Sequence, residues 1–474
     1  MNRWIEGIMY FFGWTIFCYM AIVILVYSVM LVFAQIELRR QYKLDKRDLE
    51  ESTIDAVYSK PVSIIVPVYN EQAGVIDSIY SLLSLKYPQT ELLVVNDGSK
   101  DGTLQLVMEH FRMVCVDKPR AGKLETKRVT GVYQSAIHSH LWLIDKENGG
   151  KADALNAGIN YSRYPYFCSI DGDSILEENS LLRVMKPIIL SNGAVAAAGG
   201  NVRIVNGFHV QNGAVHQTML SNSALIVMQV IEYLRAFLMG RIALSRWNMV
   251  LIISGAFSVF NKKLVVEVGG YSCNTIGEDM ELVVKLHRFI KEQDLDNRIE
   301  FVPDPVCWTE APQTLKGLRN QRRRWHQGLI QSLWAHKRMT FNPKYGAVGL
   351  ISFPYFWLVE CLGPLIEIGG YIYVVAAFFL GNIYYEFAIL LMLLFILYGT
   401  LFSIASVLLE AWSMNTYPRR REVIRMILLA MTEVFWYKPL SLFWRVEGLI
   451  RFLLRRKTWG QIARVGFSEK GAAE

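Results

Sequence analysis

The segment Asp171-Gly172-Asp173 places two carboxylates one residue apart, directly after the apolar run YFCSI. Two carboxylates on a turn could share an Mg²⁺ or Mn²⁺ ion that also binds a diphosphate, because these hard cations prefer oxygen ligands. The same DGD pattern occurs in ordinary turns and in calcium loops. The motif is therefore a candidate metal-diphosphate site that needs support from other residues.

A second acidic pair, Glu278 and Asp279, begins the segment EDMELVVKLHR, whose apolar spacing predicts a helix. Acidic residues in a first turn interact favourably with the helix dipole, so one interpretation is a simple cap. The chemical interpretation makes Asp279 a general base. It would take the proton from a sugar hydroxyl as that hydroxyl attacks an anomeric carbon.

Two further segments combine glycine with a charged residue. Asp97 in VNDGS is either a turn former or an acceptor for a nucleobase. Lys151 follows Gly149 and Gly150, whose lack of a side chain allows a ligand to approach the backbone closely. Lys151 could therefore lie against phosphates, or it could be an ordinary loop lysine before a helix.

The basic segment NQRRRWHQG, residues 320–328, stands shortly before a long apolar tract. Such runs often mark the cytoplasmic flank of a membrane helix. That interpretation explains the arginines and leaves Gln321 and Trp325 unexplained. Residues 313–340 are basic and amphipathic overall, which predicts a helix lying at the cytoplasmic membrane surface.

The elements that must position these residues are apolar runs at 62–69, 91–99 and 166–174, separated by helical stretches. This alternation predicts a parallel or mixed sheet covered by helices. In such sheets ligands bind beyond the carboxyl ends of strands. The polar residues that fall at these ends are Asn70, Glu71, Asp97, Asp171 and Asp173.

Composition predicts a soluble domain joined to membrane helices. The 474 residues are 52% hydrophobic and 19% charged, with a mean hydropathy of +0.24. The net charge of +8 suits an anionic leaflet or substrate and gives no reason to expect nucleic acid. The six cysteines are scattered without CxxC pairs, which argues against a disulfide framework or zinc site and fits a reducing cytosol.

Residues 7–36 carry no charge and exceed the roughly 20 residues needed to span a bilayer. The basic stretch after them places the following domain in the cytoplasm. We expect a kinked span within 345–380, a span at 387–409, and a short hairpin or surface-lying pair at 426–454. Residues 216–247 fit a core helix and an interfacial helix equally.

These boundaries divide the chain into six segments. They are an N-terminal transmembrane helix (1–40), a basic cytoplasmic linker (41–60), the α/β domain (61–312), an interfacial helix (313–344), C-terminal transmembrane and interfacial helices (345–456) and a cytoplasmic tail (457–474). The expected location is the inner (plasma) membrane, with several spans and a cytoplasmic catalytic domain.

In order, VPVYNE, VNDGS, GGKADALN, DGDS, SGAFSVF, IGEDMEL and QRRRW resemble the membrane-integrated family 2 glycosyltransferases. This group contains the cellulose, chitin, hyaluronan and poly-N-acetylglucosamine synthases. The resemblance covers residue 61 to about residue 340. It implies a GT-A fold, a Rossmann-like mixed sheet, that uses a nucleotide-diphosphate sugar, here a UDP-sugar, with inversion at the anomeric carbon.

The resemblance also implies which residues would bind the donor. Asp97 would bind the uracil end, Lys151 would lie along the nucleotide, and Mg²⁺ or Mn²⁺ would be held by the DxD pair, with Asp173 as the direct ligand. The implied nucleotide-sugar set is Tyr69, Glu71, Asp97, Lys151, Asp171 and Asp173.

Catalysis and acceptor binding are implied for two later motifs. Asp279 would be the catalytic base, beside Glu278. Gln321, Arg324 and Trp325 would close over the pyrophosphate and the acceptor sugar. Arg324 can donate to a departing diphosphate while remaining ionised, and Trp325 offers a flat face for a sugar ring.

Three other features leave alternatives open. Ser254–Phe260 would be the floor of an acceptor pocket, a buried strand, or both. Glu360 and Glu367 share one helix face, and they either line a polymer path or pair with cations of the interface helices. Arg322 and Arg323 either contact lipid phosphate, the favoured interpretation, or take part in catalysis.

Where the family often has Thr-Glu-Asp, this chain has Gly277 before its acid pair, and no segment resembles a PilZ-like domain. A smaller synthase of poly-N-acetylglucosamine or β-glucan type is therefore expected, one that polymerises a UDP-sugar into an extracellular polysaccharide and translocates it through the bilayer. The alternative is a non-processive enzyme that adds one or a few sugars to a lipid. A channel or transporter whose cytoplasmic domain only binds nucleotide is a third hypothesis. An accessory subunit is compatible with the sequence but not indicated by it.

Overall fold

The apolar runs of the middle region form strands in the computed structural model, which describes residues 3–48, 59–211, 214–217, 219–380, 385–414, 416–417 and 419–455. The strands are β1 (Val62–Val68), β2 (Thr90–Asn96), β3 (Met113–Cys115), β4 (Val129–Ser135), β5 (Leu141–Lys146), β6 (Tyr166–Ile170), β7 (Ser174–Leu176), β8 (Val195–Ile204), β9 (His209–Gln211), β10 (Ala214–Gln217), β11 (Phe257–Asn261) and β12 (Arg298–Thr309).

Ten of these described strands form one mixed sheet, in the order β3-β4-β5-β2-β1-β6-β11-β8-β12-β7. Strands β5, β2, β1 and β6 pair in parallel, so their carboxyl ends meet at one edge. Pro67, near the end of β1, has no N–H to donate, and β6 pairs with β1 only as far as Ile65. The last residues of β1 are therefore not paired with β6 at the point where the DGD turn begins.

Helices cover the sheet and continue into the membrane region. They are α1 (Arg3–Asp48), α2 (Val75–Leu83), α3 (Thr103–His110), α4 (Lys151–Tyr161), α5 (Ser180–Leu190), α6 (Ala224–Leu234), α7 (Ile242–Ser245), α8 (Lys262–Glu267), α9 (Glu278–Glu292), α10 (Leu315–Ala335), α11 (Phe353–Tyr355), α12 (Gly363–Leu380), α13 (Tyr385–Ser413), α14 (Arg420–Thr432) and α15 (Tyr437–Leu453).

Among the described residues, two helices are long and apolar enough to cross a bilayer, Met9–Arg40 and Tyr385–Ser413. Two bent pairs would raise the number to four if each formed one span: Val348–Cys361 with Gly363–Ala376, bent by 41°, and Arg420–Phe435 with Tyr437–Leu453, bent by 53°. The chain is a membrane protein, and its number of spans and its orientation remain predictions.

Two expected helices have different bounds in the structure. The segment expected to be helical at 216–247 begins with part of strand β10, and its helix starts at Ala224, continues through a π-helical stretch, Arg235–Arg241, and ends at Ser245. The basic amphipathic helix expected at 313–340 is α10, which ends at Ala335. Thr314 caps its start, because its side chain accepts a hydrogen bond from the N–H of Gly317.

A buried ion pair joins the sheet to α13. The Arg203 guanidinium lies 2.9 Å from the Glu410 carboxylate, and the two side chains are 3% and 0% exposed. The N–H of Thr416 also donates to Glu410. Removing one partner of such a pair leaves an uncompensated buried charge, whereas replacing both with apolar residues of similar size is often neutral.

We therefore expect Arg203→Met alone to destabilise the contact between the sheet and α13 by about 3–5 kcal/mol. Thermal unfolding of the detergent-solubilised chain should detect this as a lowered melting temperature. Arg203→Met combined with Glu410→Leu should recover most of the loss. Equal melting temperatures for the single variant and the unmodified chain would show that the pair does not hold the two parts together.

Candidate active site

The DxD turn lies where the ends of β1 and β6 meet. Asp171 follows β6, and its N–H donates to the carbonyl of Ala256 at 3.3 Å. A Cβ on Gly172 would lie 3.1 Å from the carbonyl oxygen of Pro67 and 3.7 Å from Cγ of Glu71. The turn therefore packs directly on the end of β1, with the Glu71 side chain beside it, which brings two of the predicted donor segments together.

Asp171 and Asp173 fit a divalent cation that is completed by a diphosphate. Among the described residues, no group of three or more His, Cys, Asp or Glu side chains converges as a metal site would. The chain would therefore supply the two oxygen donors of the turn, and the nucleotide and water would supply the rest, a ligand set that suits Mg²⁺ or Mn²⁺.

Lys151 bridges the DxD turn and the second acidic pair. Its ammonium lies 2.5 Å from Asp171 and 3.5 Å from Glu278, and it donates to the carbonyl of Gly255 at 3.2 Å. Burial opposes its charge, but the carboxylates of Asp171, Glu278 and Asp279 outweigh burial and raise the pKa of Lys151. Lys151 is thus a fixed cation between the DxD turn and the second acidic pair.

The expected base, Asp279, stands in the first turn of α9 against the segment that leads into β11. A Cβ on Gly255 would lie 2.7 Å from Oδ2 of Asp279, so only glycine fits there without movement. Burial raises the pKa of the neighbouring Glu278 carboxyl, Lys151 opposes this effect, and the charge of Asp279 reinforces it. Of the two acids, Asp279 is the less buried.

Helix α10 holds the loop that carries this base. A Cβ on Gly277 would lie 3.0 Å from Cα of Gly328, so the two backbones touch. The Gln331 side chain accepts a hydrogen bond from the N–H of Ile276 at 2.8 Å. A side chain at position 277 would therefore require the facing backbone of α10 to shift by a few tenths of an ångström.

Asp97 organises the loop before Lys151. Its carboxylate accepts hydrogen bonds from Lys146 at 2.6 Å and from the N–H groups of Gly149 at 2.9 Å and Gly150 at 2.7 Å. Lys146 is fully buried and also lies 2.6 Å from Asp153. Asp97 is only 3% exposed, so the part in nucleobase binding implied by the resemblance remains a prediction.

Sequence reasoning did not identify Lys146. The signal was present: a lysine ends the strand-like run LWLIDK. Because β5 pairs in parallel with β2, Lys146 comes to the same sheet edge as Asp97. A charged residue at the end of an apolar strand was a reason to expect a buried ion pair at that edge.

Trp325 lies exposed at the mouth of the site. It is 44% exposed, and its ring centroid is 6.1 Å from that of Tyr233 on α6. Burial raises the pKa of Tyr233 to about 12; Arg322 opposes this shift, while Glu232 and Asp173 reinforce it. Tyr233 therefore stays protonated between the DxD turn and Trp325. It is a second residue that sequence reasoning missed.

The predicted contact with lipid phosphate is wrong for Arg322, which is buried, and stays a prediction for Arg323. Arg322 is buried, lies 2.5 Å from Glu232, donates to Tyr437 at 3.2 Å, and stacks over Trp325 at 4.4 Å. Arg323 lies 3.1 Å from Glu447 on α15. Their acidic partners are 90 and 124 positions away along the chain, so local sequence could not show them.

The remaining predicted residues take different positions. Tyr69 is exposed beyond the end of β1. Gln321 is buried, and its side chain accepts a hydrogen bond from the neighbouring Arg322 at 3.1 Å. Arg324 is half-buried on α10. The residues Ser254–Phe260 run into β11, so at least the strand interpretation holds.

Glu360 and Glu367 both pair with cations of α15. Glu360 lies 3.2 Å from Arg445, and Glu367 lies 2.7 Å from Lys438. A cavity of about 80 Å³ lies beside them, between α1, α6, α13 and α15. Its lining includes the charged residues Glu232, Arg235, Glu367, Glu433, Lys438 and Arg445. Ion pairing is thus observed for both acids, and Glu367 also lines this small polar cavity, while a polymer path remains a prediction.

The model of the glycosyl transferase family 2 matches residues 63–268, and the model of the glycosyl transferase family group 2 matches residues 166–405, half of the chain. The chain belongs to the family 2 glycosyltransferases. The expected family is confirmed.

Two curated relatives of this glycosyltransferase carry the same name, poly-beta-1,6-N-acetyl-D-glucosamine synthase. The Staphylococcus epidermidis protein is 30% identical over 58% of this chain and 57% of its own length. The Staphylococcus aureus protein is 30% identical over 68% of this chain and 66% of its own. The chain therefore spans less than two thirds of the length of these relatives.

A solved structure supports the fold of the glycosyltransferase. A mannosyltransferase from Pyrobaculum calidifontis, in complex with GDP-Man and Mn²⁺, matches with a TM-score of 0.51 and 19% identity. The match covers 87% of this chain and 99% of the mannosyltransferase. The GT-A fold expected from the sequence is confirmed.

Proposed function

We propose that this glycosyltransferase polymerises UDP-N-acetylglucosamine into a β-linked polysaccharide, with inversion at the anomeric carbon, and passes the chain out through its own helices. The observation on which the proposal rests is the position of the Lys151 ammonium. This group contacts Asp171 of the donor turn at 2.5 Å and Glu278, next to the base, at 3.5 Å. This position of Lys151, between the proposed donor turn and the proposed base, supports the proposal.

The chemistry follows from these positions. The acceptor hydroxyl would give its proton to the Asp279 carboxylate as its oxygen bonds to the anomeric carbon. The bond from that carbon to the diphosphate breaks, and its electron pair leaves with UDP. Lys151 and Arg324 are the cations proposed to neutralise the departing charge, since fixed charges are most effective where charge develops.

The proposed metal is Mg²⁺ or Mn²⁺, held by Asp171 and Asp173. When bound, it would polarise the diphosphate and make UDP a better leaving group. Asp171 would then share its charge between the metal and Lys151. The donor set of the turn supports this assignment, because carboxylates are preferred ligands of both ions.

Polymerisation and export are supported by the surroundings of Trp325. The exposed indole offers a flat face for the terminal sugar of a growing chain. Arg322 stacks on it and pairs with Glu232, which also lines the polar cavity between α1, α6, α12, α13 and α15. Charged residues at membrane depth are costly and commonly mark a path for a polar substrate.

N-acetylglucosamine is proposed as the donor sugar because the curated relatives are named poly-beta-1,6-N-acetyl-D-glucosamine synthases. The test is release of UDP by the purified, bilayer-reconstituted chain, supplied with UDP-glucose, UDP-N-acetylglucosamine, UDP-glucuronate or UDP-galactose and Mg²⁺ or Mn²⁺. We expect UDP-N-acetylglucosamine to be used fastest and EDTA to stop release. Faster use of another donor would refute the sugar assignment, and full activity in EDTA would refute the metal assignment.

A further inference from the structure

A basic cavity separate from the active site lies just after helix α10. Its volume is about 250 Å³, several times the ~30 Å³ that one water occupies in the liquid. The lining residues are Arg288, Ala335, His336, Lys337, Arg338, Met339 and Tyr345. Three arginine and lysine side chains and a histidine thus surround a space that can hold an anionic group.

One buried side chain of the cavity has an unused polar atom. His336 is 6% exposed, and its Nε2 lies 3.2 Å from Oε1 of Glu281. Its other nitrogen, Nδ1, is buried and has no hydrogen-bond partner in the described part of the chain. A protonated imidazole would donate to Glu281 from one nitrogen and to an anion in the cavity from the other. An unsatisfied buried nitrogen is costly, so a bound anion would relieve it.

The cations at the rim are available for a ligand. Lys337 and Arg338 are exposed, and neither has an acidic partner within ion-pair distance among the described residues. Lys337 lies over the ring of Trp334, 4.4 Å from its centroid. Arg288, which also lines the cavity, pairs with Glu292 at 2.8 Å. The rim therefore carries net positive charge.

The surroundings place this cavity at a membrane surface. Trp334 and Phe341 are 54% and 66% exposed. The helical segment Val348–Cys361, which begins one of the bent candidate spans, exposes Leu350 and Ile351. Exposed aromatic and apolar residues beside cations are typical of the boundary between headgroups and acyl chains.

We propose that this cavity binds the phosphate headgroup of an anionic phospholipid of the cytoplasmic leaflet. The cations and His336 would hold the phosphate, and Phe341, Leu350 and Ile351 would face the acyl region. Juxtamembrane lysine and arginine residues are attracted to anionic lipid in this way. Because His336 contacts Glu281, two residues after Asp279, a bound headgroup would also brace the helix that carries the proposed base.

The test uses the full chain in a neutral maltoside detergent, titrated calorimetrically with dihexanoyl-phosphatidylglycerol. We expect saturable binding, and at least about tenfold weaker binding by the Lys337→Gln/Arg338→Gln variant. The matched control is Arg419→Gln/Arg421→Gln, which removes two exposed cations beside α14 and should leave affinity unchanged.

Two further titrations distinguish the source of the phosphate. Dihexanoyl-phosphatidylcholine should bind at least tenfold more weakly than phosphatidylglycerol, and so should inorganic phosphate. Equal binding of phosphatidylcholine would mean that the net negative charge of the lipid is not recognised, and equal binding of inorganic phosphate would mean a soluble ligand. Either result, or an equal loss of affinity in the control variant, would overturn the proposal. None of these measurements depends on transferase activity.

Discussion

Asp279→Asn is expected to lower the rate of UDP release by about 10²- to 10⁴-fold, the usual contribution of a positioned general base. The substitution keeps the size of the side chain and removes its capacity to accept a proton. Lys151 still has Asp171 and Glu278 as partners, so the donor site should stay assembled. UDP binding, measured by calorimetry, should remain within about twofold of the unmodified chain, since the loss is in the chemical step.

The matched control is Asp296→Asn, an exposed carboxylate just beyond the far end of α9. The 15 residues of that helix span about 22 Å, so Asp296 lies well away from the base. Its substitution should leave the rate unchanged. Turnover by Asp279→Asn close to that of the control would mean that another group accepts the proton, and the assignment of the base would fail.

Asp97→Asn is expected to destabilise the glycosyltransferase domain by about 3 kcal/mol in the absence of nucleotide. The buried Lys146 would lose one of its two carboxylates, and the new amide could not accept from all the donors that Asp97 satisfies. The estimate is at the low end for a broken buried pair because Asp153 still neutralises Lys146. A loss of this size lowers the melting temperature by on the order of 10 °C.

This result would separate two roles of Asp97. If its carboxylate only bound the nucleobase, melting without nucleotide would be unchanged, and only the stabilisation by added UDP would disappear. The control is Asp117→Asn, the same substitution at an exposed position in the same half of the sheet. An unchanged melting temperature for both variants would contradict the organising role inferred from the hydrogen bonds.

The strand ends of the site could be predicted because their signals are local. Each is an apolar run followed by turn-forming or acidic residues, and parallel pairing brings such ends to one edge. Asp97 and Asp171 were found in this way. The start of α9 at Glu278 is local too, since acidic residues in a first turn and an apolar stripe mark it.

The rest of the site depends on contacts between distant segments, which one sequence cannot show. Glycine is needed at positions 277 and 328 only because α10 packs there against the loop that leads to Asp279. Arg322 was predicted to face lipid because nothing near it indicated Glu232 as a partner. Whether a charged residue is buried or exposed depends on its ion-pair partner more than on its neighbours along the chain. Prediction from sequence is therefore least reliable in arginine-rich segments.

The most direct test of the central claim is the length of the product made from UDP-N-acetylglucosamine by the reconstituted chain at decreasing enzyme concentration. A processive polymerase should make long β-linked chains from the first turnovers, and their length should not fall as the enzyme is diluted. Products of one or a few sugars that appear only with an added lipid acceptor would contradict polymerisation and would support the single-transfer alternative.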